Sequence, residues 1–197
     1  MNSATGAGLS NAQNGFRLLD RARLLCFFRR SGGVAFGDEL VKVTELGLAA
    51  TFYFSIAHYF ACLGWLMEAR RGGLGTRVAS LSRVVRVRVR MRRWARACPQ
   101  NFEHRLLLVE AEWLRETCRL RRSLRKYEEA IAAATDHGFI QDAALAHELA
   151  AEMLTDRGEN RAARTHVLAA LAGYKAWGAE AKVLDVETRY ARSLAAG

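Results

Sequence analysis

Proline is nearly absent from this chain, with Pro99 the single example, and lysine is scarce, being confined to Lys42, Lys126, Lys175 and Lys182. The shortage of proline removes the strongest helix breaker. Together with abundant Ala, Leu and Arg, which lose little on entering a helix, it predicts an all-α protein. No Cys-x-x-Cys pair occurs: Cys26, Cys62, Cys98 and Cys118 lie far apart, a pattern that suits reduced, mostly buried thiols. Arg17, Arg21, Arg23, Arg29 and Arg30 surround short apolar runs near the N-terminus, with no sustained apolar region ahead of a small-residue cleavage site. A cytoplasmic location is therefore expected.

Reaction motifs are missing as well. The glycines of Gly72-Gly73-Leu74-Gly75-Thr76-Arg77, like those between Gly6 and Gly15, come without the lysine that reaches a nucleotide's phosphates. His147-Glu148 starts like a zinc-protease helix, but Ala151 stands where the second histidine belongs. His58, His104, His137, His147 and His166 are scattered, which favours helix-surface or core roles over metal ligation. Glu110 and Glu112, or Glu128 and Glu129, are too close in sequence to share a helix face, so they do not form an acid-base pair. No nucleophile elbow or kinase motif set appears. No catalytic, cofactor-binding or metal-ligating residue is assigned.

What the chain has is positive charge, a net +10 with an isoelectric point near 10.1. That balance suits an acidic partner, a membrane surface or nucleic acid. Nearly all of it is arginine, which GC-rich coding also produces. At 197 residues the chain has room for one ordinary core or for five to seven stacked helices.

Residues 1–37 read as a poorly ordered basic leader with one short amphipathic helix around Phe16 to Phe28. Asp38 to Ala69 is the most apolar stretch, and no formal charge occurs between Leu46 and Met67, a length that can span a bilayer. His58, the hydroxyls of Thr51, Tyr53, Ser55 and Tyr59, and the glycines Gly47 and Gly64 dilute its hydrophobicity, so a buried helix is the preferred reading. Were 46–67 a membrane span, the arginines after Glu68 would keep the C-terminal part in the cytoplasm. Arg70 to Gly75 reads as a linker. From Arg83 to Arg93, Val and Arg alternate in a strand-like period of two. A helix from Val78 to Ala97 is still expected, because Trp94 and Ala95 continue it and Pro99 stops it.

Five helices should follow: Phe102 to Thr117, Leu120 to His137, from a cap at Asp142 to Gly158, Arg161 to Trp177, and Ala179 to Ser193. Gly138, Gly158 and Gly178 mark their ends at twenty-residue intervals. Two such helices make one repeat, and small residues recur about 39 positions apart: Ala111 with Ala150, Ser123 with Ala162, Ala130 with Ala169. Small side chains at facing positions let paired helices approach closely, as in tetratricopeptide pairs, whose usual period is about 34 residues. His166 falls where an aromatic residue is expected.

Trp94-Ala-Arg-Ala-Cys98-Pro99-Gln-Asn101-Phe102-Glu-His104-Arg, Tyr127-Glu-Glu-Ala130-Ile131, His137-Gly138-Phe139, Ala144 to Ala150, and Ala176-Trp177-Gly178-Ala179-Glu180-Ala181 are similar to a known pattern. Together they resemble the tetratricopeptide-like helical region of very large bacterial signalling proteins, which also carry a serine/threonine kinase-like domain, a predicted ATPase, GAF modules and a sensor histidine kinase. The likeness covers Met91 to Leu194 and thins out from Asp38 to Arg90. The chain departs from the pattern in 70–93 and in Cys118 to Lys126, where the family has a less basic turn. The resemblance implies an all-α, right-handed stack of antiparallel helix pairs over 38–197. It further implies a non-catalytic protein-interaction or spacer module, alone or as one piece of a longer kinase/ATPase, whose partners are proteins or neighbouring signalling domains. The structural signature would be Trp94, Pro99, Phe102, Ala111, Tyr127, Ala130, Gly138, Phe139, Ala150, Gly158, Trp177 and Gly178. Two rival readings are a single-pass membrane protein spanning 46–67 and a non-specific nucleic-acid binder acting through Arg83 to Arg93.

Overall fold

A helix that is apolar on every side is stable only among other helices, and the second part of the chain's most apolar stretch folds into such a helix. The computed structural model describes residues 3–30, 33–47 and 51–195, with side chains for 13–30, 36–46 and 51–195. Every regular element among the described residues is a helix. The chain divides into two units, at Met91 and Arg92.

The first unit contains α1 (Ser3–Phe27), α2 (Gly33–Gly47), α3 (Phe52–Arg71) and most of α4 (Leu74–Ala97). The helices α1, α2 and α3 pack on one another. Ile56 to Leu63 and Trp65 to Met67 of α3 are buried without interruption. That all-round burial accounts for the second half of the uncharged run that resembles a membrane span in the sequence, whereas Leu46, Phe52 and Tyr53 in its first half are exposed. The run is not one helix, since α2 ends at Gly47 and α3 begins at Phe52, and residues 48–50 lie outside the described part. No helix among the described residues is long and apolar enough to cross a membrane.

Within 1–37, where a poorly ordered leader with one short helix around Phe16 to Phe28 is expected, the described residues form α1 and the start of α2. The physical reason is a stripe at helical spacing: Leu19, Ala22 and Cys26 are all buried, and the Cys26 thiol donates to the Phe60 carbonyl at 3.5 Å. The expected linker at 70–75 shrinks to Gly72 and Gly73, because Leu74 and Gly75 already belong to α4.

The alternating Val–Arg segment is helical. Ser80, Val84, Val87 and Met91 fall on one face and are buried, whereas Val85 and Val89 are half exposed. A period of 3.6 selects every second valine of the alternation, so the pattern satisfies a helix as well as a strand.

The second unit begins within α4 and continues with α5 (Pro99–Glu116), α6 (Leu120–Asp136), α7 (Ile140–Asp156), α8 (Asn160–Ala176), α9 (Glu180–Arg189) and α10 (Ala191–Ala195). Consecutive helices from α5 to α9 pack on each other, and α5 also touches α7. Three-residue turns between packed neighbours require them to run antiparallel.

The turns themselves are alike. Cys118, Gly138, Gly158 and Gly178 all have positive φ, between 58° and 77°. One residue later, the amides of Arg119, Phe139, Glu159 and Ala179 donate to the carbonyls of Leu114, Ala134, Leu154 and Tyr174 at 2.8–3.0 Å. This is the Schellman closure of a helix by a left-handed residue. Arg29, with φ 54°, and the Arg30 amide bonded to the Leu25 carbonyl end α1 in the same way.

With four equivalent turns at twenty-residue spacing, the repeat of the second unit is 40 residues rather than 39. Its buried positions follow that spacing: Ser123, Tyr127, Ala130 and Ala134 in α6 correspond to Ala163, Val167, Ala170 and Tyr174 in α8. Ala162 is exposed and Ala169 half-buried, so neither occupies the slot that the shorter period gives it.

Candidate functional site

The second unit buries an unusual amount of charge, and α7 is its centre. Asp142, in the first turn of α7, was expected to cap that helix; the capping position is instead held by Phe139. Asp142 is buried and turns to α5, where its Oδ2 accepts from His104 Nε2 and Arg105 Nε, both at 3.0 Å. The Phe139 ring stacks on His104 with centroids 4.2 Å apart, and the Arg105 guanidinium lies 5.3 Å from its centre. Burial alone would raise the Asp142 carboxyl, but the His104 hydrogen bond and the Arg105 charge outweigh it and hold the group below the ordinary carboxylate value.

At the other end of the same pair of helices, Arg115 of α5 donates to Glu152 at 3.3 Å and to Asp156 at 2.5 Å, and lies 3.6 Å from Glu112. Glu112 is itself buried and accepts the Tyr127 hydroxyl of α6.

Glu148 faces the other way, toward α9. Fully buried, it accepts from Tyr174 of α8 at 2.7 Å, Lys182 at 2.8 Å and Arg189 at 2.7 Å. Lys182 also donates to Asp185, and Arg189 holds the same carboxylate. Burial pushes Asp185 up, yet hydrogen bonding to Lys182 and the charges of Lys182 and Arg189 bring it below its ordinary value. The three alternate helices α5, α7 and α9 are thus joined by charged hydrogen bonds. A buried pair adds little net stability relative to an apolar pair, but it penalises every register in which a charge lacks its partner.

Across α7 and α8, His147 and His166 bring their Nδ1 atoms to 2.9 Å. Burial, then repulsion from His166, pushes His147 down to about 4. Burial lowers His166 also, against the opposing pull of Glu128. One ring donates and the other accepts, so the accepting ring is neutral, and burial disfavours the charge on either. Among the described residues, no group of three or more His, Cys, Asp and Glu is placed to hold a metal ion.

The signature residues read from the sequence occupy recognisable places. Ala111, Ala130 and Ala150 are buried at helix contacts, and the Ser123 hydroxyl donates to the Ala111 carbonyl at 2.8 Å. Pro99 is at the first turn of α5, and the Trp94 and Phe102 rings meet at 6.3 Å beside it. Trp177 is about half exposed, at 47%. Of the twelve, Tyr127 and Phe139 reach the polar layer. His104, Arg105, Arg115, Asp142, Glu148 and Lys182 were not singled out as a network. One available signal was Glu148 inside the run Ala143 to Ala151, where a charge sits on an otherwise apolar helix.

The arginines of α4 are largely engaged within the fold. Arg83 grips Asp38 with two bonds of 2.7 and 2.8 Å, Arg90 donates to Glu45 at 2.7 Å, and Arg92 to Glu110 at 2.8 Å. Arg88 is buried. Of the six arginines from Arg83 to Arg93, this leaves Arg86 and Arg93 exposed at the surface. Comparison of the chain with protein families, curated proteins and solved structures gives no match.

Proposed function

We propose that this chain is a non-catalytic interaction or spacer module of bacterial signal transduction, built as a right-handed, tetratricopeptide-like stack of helix pairs. The observation that carries the reading is the set of four equivalent left-handed turns at Cys118, Gly138, Gly158 and Gly178. A helix pair repeated at constant spacing cannot bury its apolar face alone and stacks on its neighbours, producing an extended surface for a peptide, a helix or another domain. The buried charges of α5, α7 and α9 support it by fixing how successive first helices register. The sequence resemblance supplies the signalling context, in which catalysis belongs to other domains.

The test is chemical crosslinking of the tagged chain in the bacterium that encodes it, followed by mapping of the crosslinked residues. Protein crosslinks concentrated on α5, α7 and α9 are expected. Crosslinks confined to nucleic acid at Arg86 and Arg93, or a chain extracted only by detergent, would contradict the proposal.

A further inference from the structure

In the first unit, α2 and α4 are tied at two levels: Arg83 to Asp38, and Arg90 to Glu45. The two acids are two helical turns apart, and so are the two arginines, so the helices run parallel with the bridges as rungs. Between the rungs lies a cleft of ≈ 360 Å³, lined by Val41, Lys42, His58, Trp65, Arg86 and Val87 together with the four bridging residues. That volume suits a small ligand.

The charges of the cleft do not balance. Its lining holds four cations, Lys42, Arg83, Arg86 and Arg90, against the two carboxylates of Asp38 and Glu45. Both carboxylates are engaged by Arg83 and Arg90. Lys42 and Arg86 have no ion-pair or hydrogen-bond partner among the described residues. The geometry also keeps Arg90 in place from behind. His58 is fully buried, and its Nδ1 lies 2.8 Å from the Phe54 carbonyl. A carbonyl can only accept, so Nδ1 carries the proton and Nε2 receives Arg90 Nη1 at 3.3 Å. Burial, the largest influence on this ring, lowers its basicity, so His58 adds no third free cation.

We infer that the cleft between α2 and α4 is a binding site for a phosphate monoester, with the dianionic phosphoryl group held between Lys42 and Arg86 and the body of the ligand lying along Val41 and Val87. Two uncompensated cations match a dianion, and an arginine fork beside a lysine point charge is well suited to phosphoryl oxygens. The site does not depend on the scaffold reading of the second unit.

The test is a titration of the full chain with inorganic phosphate at constant ionic strength, followed by NMR of backbone amides and of the Trp65 indole. Saturable shifts at Lys42, Arg86 and Trp65 are expected. Lys42→Gln and Arg86→Gln should each weaken binding by about tenfold. Arg122→Gln, at an exposed arginine of α6, should leave binding unchanged. All three side chains are exposed, and a thermal melt verifies that the variants fold. A parallel titration with succinate should give weaker binding. Absence of saturation, unchanged affinity in both cleft variants, or succinate binding as tight as phosphate would overturn the assignment.

Discussion

Cys118 and Gly158 hold the same left-handed backbone conformation, forty residues apart, each two positions beyond the end of a helix. Glycine adopts that conformation freely, whereas a side chain pays a steric penalty there. Replacing Cys118 by Gly should therefore stabilise the chain by about 1 kcal/mol, and Gly158→Ala should destabilise it by a similar amount. Urea unfolding of the two variants measures both signs, and a destabilising Cys118→Gly would remove the equivalence of the turns.

The 40-residue register is tested by neighbouring alanines. Ala163 is fully buried and Ala162 exposed. Ala163→Leu should cost about 1–3 kcal/mol by overpacking, and Ala162→Leu should change the melting temperature little. Ala111→Leu and Ala150→Leu, both at fully buried positions, should behave like Ala163→Leu. The reverse order at 162 and 163 would restore the 39-residue period.

Gly173 permits a close approach of α8 to α7 at Ala144. A Cβ built there would lie 2.8 Å from the Ala144 Cβ, too near for either backbone to ignore. Gly173→Ala should destabilise by about 1–3 kcal/mol despite its gain in helix propensity. A stabilised variant, read in the same urea experiment, would mean that the helices have room to separate.

Removing one member of the Glu148 cluster should cost far more than replacing the pair. Lys182→Met leaves a buried carboxylate with fewer partners and should destabilise by about 3 kcal/mol, while Glu148→Leu combined with Lys182→Met should recover part of that loss. A double-mutant cycle by chemical denaturation gives the coupling directly. Additive losses would show that the two residues act independently.

Acid should weaken the second unit in two stages. His147 and His166 are less basic in the fold than in the unfolded chain, so the unfolded state takes up protons first. Their contribution is complete above about pH 6.5 and is lost as pH falls below it, for His147 down to about 4. Asp142 has the opposite chemistry, a depressed carboxyl, and its contribution persists until the pH falls below about 4. Urea midpoints measured from pH 7.5 downward should decline in the first window, and His147→Gln should flatten that decline. A wild-type profile level between pH 7 and 5 would contradict the neutral histidine pair.

Helices α5 to α9 were legible because their ends are written locally, in Pro99 and in glycines that supply positive φ. The turn at Cys118 is invisible to that logic, since nothing in a cysteine announces a left-handed residue, and its omission hid the constant spacing. The all-α class and the helical fate of 83–93 were also legible, the latter because Trp94 and Ala95 extend the pattern. What local signals could not give was partner choice. Whether Asp142 caps its own helix or reaches Arg105 depends on how α5 and α7 pack, and the same holds for Glu148 and Lys182. The uncharged run near 46–67 is ambiguous in principle, because a lipid-facing helix and a helix surrounded by protein demand similar side chains.

Native-state hydrogen exchange across residues 92–195 tests the repeat most directly. The account predicts three protected blocks matching α6, α7 and α8, each 17 residues long, separated by faster-exchanging turns at Gly138 and Gly158 and flanked by those at Cys118 and Gly178. Protection running unbroken through those turns, or blocks of unequal length out of step with them, would contradict it.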